Sequence, residues 1–155
     1  MPSKAHSMHC EIARDESEMY AIAKKLAPVL RSGDVIALYG GLGAGKTTFT
    51  RGLISALRGE KTEVPSPTYT LVQTYETGIG TVWHFDLYRL DQPDDVFELG
   101  WEDTQLGVTI IEWPERAGQH LPVYRLEVNI DHSTDNRQLS LVGHGKDWQE
   151  RLDAL

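Results

Sequence analysis

Only one cysteine, Cys10, occurs in 155 residues, so no internal disulfide can staple the fold. That usage fits a reducing compartment. Basic residues are outnumbered, with 15 Lys and Arg against 23 Asp and Glu, a formal net charge of −8. The balance excludes a protein that clamps nucleic acid by its own charge. No apolar run is longer than Val35 to Tyr39, far short of the roughly 20 residues a membrane helix requires. Met1 to Cys10 lacks the apolar centre of a secretory signal. Repeats, low-complexity tracts and a Pro/Ser-rich linker are also missing. These absences predict a single cytoplasmic domain over residues 1–155, with 1–8 a disordered leader and no membrane contact.

What remains is globular in character. Hydrophobic residues make up 40% and charged residues 25%, which excludes wholesale disorder. A chain of this size buries roughly two-thirds of its unfolded surface, enough for a core of its own. Met19, Ile22, Ala23, Leu26 and Leu30 recur at helical spacing and predict a helix from about Glu16 to Leu30. Asp15 and Glu18 resemble a capping box at its start, and Pro28 tightens its last turn. Val35–Tyr39 reads as a buried strand, and Lys46–Leu57 as a second helix stopped by Gly59. Tyr69–Tyr75 and Thr81–Phe85 read as strands about a Thr77–Gly80 turn. Asp94–Leu99 is a short helix between Pro93 and Gly100. Val108–Ile111, Val123–Ile130 and Gln138–Val142 predict further strands, and Asp147–Leu155 a closing helix. Helices interleaved with buried strands predict an α/β domain with a mixed, centrally parallel sheet.

The most informative segment is Gly40-Gly41-Leu42-Gly43-Ala44-Gly45-Lys46-Thr47, which fits G-x-x-x-x-G-K-[ST] between a strand and a helix. Glycines at 41, 43 and 45 remove the Cβ atoms that keep backbone away from phosphate, and permit positive φ. The loop N–H groups then form an anion nest at the positive end of the following helix. In that chemistry Lys46 reaches the β and γ phosphates, and the Thr47 hydroxyl ligates magnesium. The bland alternative, a glycine-rich turn with an incidental lysine, does not account for the strand–loop–helix setting. The fold expectation is therefore a P-loop NTPase-like three-layer domain.

Neither an N-K-x-D guanine reader nor a D-x-x-G switch occurs in the chain, so ATP is the expected nucleotide. Arg51, Arg58, Arg89, Arg116 and Arg125 are scattered rather than gathered in a lid. A small-molecule kinase nevertheless stays open, as does a nucleotide-gated interaction module. Glu112 ends the apolar run Val108–Ile111, where a strand-end carboxylate enters the phosphate crevice and can hold magnesium or orient water. The competing reading is a solvated glutamate just past a strand. Asp86, in His84-Phe85-Asp86-Leu87-Tyr88-Arg89-Leu90, approaches the same metal or polarises the water, or else marks only a strand exit. His84 is read as a packed or hydrogen-bonded histidine rather than a metal ligand. Ser66–Thr70 suits a γ-phosphate-sensing switch or a stiff connector. Trp101 and Trp113 are read as core or edge aromatics in preference to base-stacking platforms, and Asp91, Asp94, Asp95 and Asp103 as a solvated acidic face.

Together these segments resemble the TsaE (YjeE) ATPases of bacterial tRNA threonylcarbamoyladenosine synthesis. The match rests on Leu42–Phe49, Ser66–Val72, His84–Leu90, Glu98-Leu99-Gly100 and Glu112-Trp113-Pro114, collinear over about Gly33 to Pro122. The resemblance implies a small magnesium-dependent ATPase of low intrinsic activity. It also implies a TsaB–TsaD pair as protein partner, with tRNA met only indirectly through that complex. On this resemblance Gly41, Leu42, Gly43, Ala44, Gly45, Lys46, Thr47 and Thr48 bind ATP. Thr47 and Glu112 hold Mg2+, Lys46, Asp86 and Glu112 are catalytic, and Ser66–Tyr69 form a switch. The chain departs from the pattern at Gly41, where the family usually carries an acidic or amide residue.

Overall fold

A computed structural model describes residues 6–65, 71–132, 135–145 and 147–155. Strand β1 (His6–Ala13) leads into helix α1 (Glu16–Leu26), strand β2 (Val35–Tyr39) and helix α2 (Lys46–Arg58). Strands β3 (Val72–Thr77), β4 (Gly80–Asp86) and β5 (Val108–Glu112) follow. The chain closes with β6 (Arg125–Asp131), β7 (Arg137–His144) and helix α3 (Trp148–Asp153). Turns of 3-10 helix at Pro93–Leu99, Trp101–Leu106 and Pro114–His120 flank β5 in sequence.

Local chemistry explains the boundaries. Asp15 accepts a 2.8 Å hydrogen bond from the Glu18 N–H, satisfying one of the open donors at the start of α1. Pro28 cannot donate, so α1 ends at Leu26 and tightens into a 3-10 turn over Ala27–Val29. Leu30 lies beyond the helix but remains buried. Gly59 closes α2 in the left-handed region at φ 76°, its N–H returning to the carbonyls of Ser55 and Ala56.

The sheet runs β1-β7-β6-β2-β5-β4-β3. Its centre is parallel: β2 pairs with both β5 and β6 in that sense, and β5 with β4. Antiparallel pairs β1–β7, β6–β7 and β3–β4 complete both flanks. Strand alternation then sorts the side chains between two cores. Ile36, Leu38, Val108, Ile110 and Leu126 join the larger one, with Ile22 and Leu26 of α1, Phe49 and Leu53 of α2, and Leu152 of α3. Phe85 and Ile111 belong to a smaller core with Leu87, Leu90, Val96 and Ala117, so the third layer is built from 3-10 turns and loops. Seen from β5, Val108 and Ile110 share a face with Glu112, and from β4, Val82 shares one with His84 and Asp86. Both chains of alternation start in the larger core, on the α2 side.

The expected disordered leader needs correction. Residues 6–8 belong to β1, which pairs with β7 from His6↔His144 to Ala13↔Arg137. Met8, Cys10 and Ile12 of this edge strand are exposed, and of the apolar residues in 8–13 only Ala13 is buried. An edge strand with so little buried surface leaves no apolar pattern to find. Residues 1–5 lie outside those described. Among the described residues the first strand of the hairpin runs from Val72 to Thr77; its expected first residues, Tyr69 and Thr70, lie outside the described residues. Among the described residues, no helix is long and apolar enough to cross a membrane.

Candidate nucleotide site

The loop between β2 and α2 turns through glycine. Gly43 has φ 79° and Gly45 φ 110°, the left-handed region that side chains resist. Gly41 is not among the positive-φ glycines; Gly40 takes that place, where a Cβ would stand 2.9 Å from the Ile130 carbonyl oxygen. A Cβ on Gly41 would meet only His132 Cε1, at 3.6 Å, and one on Gly43 nothing within 4 Å. Beside this loop lies a cavity of about 350 Å³, lined by Leu42 to Thr48 together with Asp86, Tyr88, Glu112 and Trp113. Gly41 sits outside that lining. Apart from Gly41, the expected loop residues and both expected carboxylates meet at one place, although Thr47 and Glu112 are 65 positions apart in the chain.

The carboxylates arrive by register. Asp86 and Glu112 end adjacent parallel strands as directly paired residues, and both side chains are buried. The Thr47 hydroxyl is 3.1 Å from each Glu112 carboxylate oxygen. On its other side Glu112 Oε2 accepts from His84 Nε2 at 2.6 Å. His84 is fully buried, as expected of a hydrogen-bonded histidine, and its Nδ1 has no partner among the described residues. Asp86 accepts from the Tyr88 N–H at 3.0 Å, fixing its carboxyl at the strand exit. A solvated glutamate past a strand does not describe Glu112, which is 2% exposed.

Lys46 is also buried and folds back on its own loop. Its ammonium donates to the carbonyls of Gly40 and Gly41 and lies 4.0 Å from the centroid of the Trp113 ring. Burial depresses its pKa below the usual lysine value, while Glu112, Glu115 and Asp86 pull the other way. Trp113 stands in the left-handed region at φ 58° and packs on Tyr88 at 4.9 Å. Composition gave no reason to place Tyr88 and Trp113 on a cavity wall, since an aromatic after a strand reads equally as core. Trp101 fits the core expectation better, edge-on to Phe85 at 5.0 Å with its indole N–H donated to the His120 carbonyl. The proposed switch Ser66–Thr70 lies outside the described residues.

A larger groove, about 800 Å³, runs between α1 and α2 past Tyr20, Lys24 and Arg51. Its lining includes none of the loop residues or strand-end carboxylates, so size alone does not mark the chemistry.

The family model for "Threonylcarbamoyl adenosine biosynthesis protein TsaE" matches residues 13–139. The chain belongs to the TsaE family. It is 42% identical over 145 residues to the tRNA threonylcarbamoyladenosine biosynthesis protein TsaE of Rickettsia felis, covering 93% of this chain and 85% of that protein. Against the TsaE of Bacillus subtilis the identity is 36% over 141 residues, covering 89% and 87%. The crystal structure of Bacillus subtilis YdiB superposes with a TM-score of 0.77 at 32% identity, covering 97% of this chain and 95% of that one. The TsaE-family sequence and the P-loop fold therefore coincide over the same residues, and family membership places the chain in tRNA threonylcarbamoyladenosine biosynthesis.

Proposed function

We propose that this TsaE-family chain is a magnesium-dependent cytoplasmic ATPase acting on a TsaB–TsaD complex, whose turnover it sustains during modification of the tRNA adenosine beside the anticodon. The observation that carries the reading is the meeting of the Thr47 hydroxyl and the Glu112 carboxylate, 3.1 Å apart, on the wall of the cavity that the glycine loop borders. A hydroxyl and a carboxylate fit Mg2+, which is held by few protein oxygens and completes its shell with phosphate and water. Bound there, Mg2+ would neutralise charge on the β and γ phosphates.

The residues divide the work. Backbone N–H groups of the loop and of the first turn of α2 receive the phosphates. Lys46 exchanges the carbonyls of Gly40 and Gly41 for phosphate oxygens, so its charge is held in the site before nucleotide arrives. Thr47 and Glu112 would hold the metal, with His84 fixing the Glu112 carboxylate through its 2.6 Å hydrogen bond. Asp86, buried and anchored by the Tyr88 N–H, orients the attacking water together with Glu112. Catalysis is positioning and charge stabilisation. A net charge of −8 leaves tRNA to be gripped by partner proteins.

The Lys46→Ala variant tests this site. It is expected to lose ATP binding, measured by calorimetric titration, while melting close to the wild-type temperature; wild-type affinity in the variant contradicts the proposal. Following γ-labelled phosphate separates hydrolysis from a kinase. Release to water is expected, and transfer to an organic acceptor contradicts it.

A further inference from the structure

A loop that receives phosphate must turn its carbonyls away from the anion, and each carbonyl so turned needs a donor. Most of these donors are local. Lys46 Nζ donates to Gly40 and Gly41, the Ala44 N–H to Gly41, and the Phe49 N–H to Gly45. The carbonyls of Gly43 and Ala44 are served from elsewhere. Arg137 Nε donates to the Ala44 carbonyl at 3.0 Å and Nη2 to that of Gly43 at 3.3 Å. Arg137 is the first residue of β7, paired in register with Ala13 of β1, and lies 93 positions from Ala44.

Three physical consequences follow from that fork. In a planar trans peptide the C=O and the next N–H point in opposite directions, so holding the Ala44 carbonyl turns the Gly45 N–H away from Arg137. Gly43 takes φ 79° with nothing within 4 Å of its Cβ position, so packing there does not fix the loop and the guanidinium can. A guanidinium is rigid and always charged, so it sets two carbonyls at once and adds a positive field behind an anion site.

Building on the nucleotide-site reading above, we infer that Arg137 is a positioning residue for phosphate binding, holding Gly43 and Ala44 in the conformation that receives the nucleotide. It touches neither substrate nor reacting atoms; it acts through the loop.

The test is ATP titration in the presence of Mg2+ on the full chain, comparing wild type, Arg137→Met and Arg137→Lys, with KM, kcat and Tm from the same preparations. Arg137→Met is expected to weaken ATP binding roughly five- to tenfold, as for loss of charge-assisted hydrogen bonds, raising KM more than it lowers kcat. Arg137→Lys should fall between, because an ammonium lacks the planar fork. An arginine that served only stability would lower Tm and kcat and leave KM unmoved. That pattern, or wild-type affinity in both variants, overturns the inference. Should Arg137→Met not fold, the KM of Arg137→Lys decides alone. Absence of ATP binding by the wild type overturns the nucleotide reading and this role with it, whereas wild-type binding with unmoved KM in the variants overturns the role alone.

Discussion

Gly40 and Gly41 are neighbours of the same type with different reasons to be glycine. At Gly40 a Cβ would press on the Ile130 carbonyl oxygen at 2.9 Å and the Ala44 Cβ at 3.0 Å. At Gly41 it would make one ordinary contact with His132. Gly40→Ala is therefore expected to cost about 1–3 kcal/mol, the range for forcing atoms into packed space. Gly41→Ala should stay within about 0.5 kcal/mol of wild type. Urea denaturation of the two variants measures the difference, and equal stabilities would contradict the loop geometry. The motif itself was legible at this scale, because G-x-x-x-x-G-K-T announces its chemistry. Which glycines carry the unusual backbone was not, since φ depends on how Ile130 and Ala44 crowd the loop. Glu112 was legible as the end of an apolar run, whereas Arg137 was not, because nothing in a strand-initial arginine points 93 positions back along the chain.

Element by element, the sequence pattern served best where burial is periodic. Helices α1 and α2 and the buried strands β2 and β5 were legible from apolar spacing to within a few residues. The strand β1 was not, because it sits at the sheet edge with Met8, Cys10 and Ile12 exposed. Besides Ala13 in the shared core, a polar contact ties it to α1: Glu11 Oε2 accepts from Lys25 Nζ at 2.6 Å, and within β1 from His9 Nε2, also at 2.6 Å. Burial raises the Glu11 carboxyl, but the hydrogen bonds and charges of Lys25 and His9 outweigh it and bring its pKa below the usual carboxylate value. A carboxyl depressed on folding contributes stability above its unfolded pKa and loses it as pH falls through the folded one. Glu11→Gln should accordingly cost about 0.5–1 kcal/mol at neutral pH, the scale of a partly exposed ion pair. Melting curves of variant and wild type should converge in acid, and a gap that persists below the carboxylate range would refute the assignment.

At the scale of the whole molecule, the parallel centre of the sheet is what assembles the site. Pairing Asp86 with Glu112 across β4 and β5 puts two acids at one edge, and β2 delivers the loop to the same edge. The antiparallel β6–β7–β1 flank adds Arg137 beneath the loop. Such long-range placements follow from topology, which is why they are visible only once the strands are ordered. The same topology gathers charge-handling groups around the cavity beside the loop, the arrangement on which the proposed ATPase reading rests. The most direct measurement is phosphate release from magnesium ATP by the wild type and by Glu112→Gln, alone and with a TsaB–TsaD pair. Slow release by the wild type that rises several-fold with the pair is expected, with near-background release by Glu112→Gln in both conditions. No release by the wild type in either condition, or equal release by the two proteins, would contradict it.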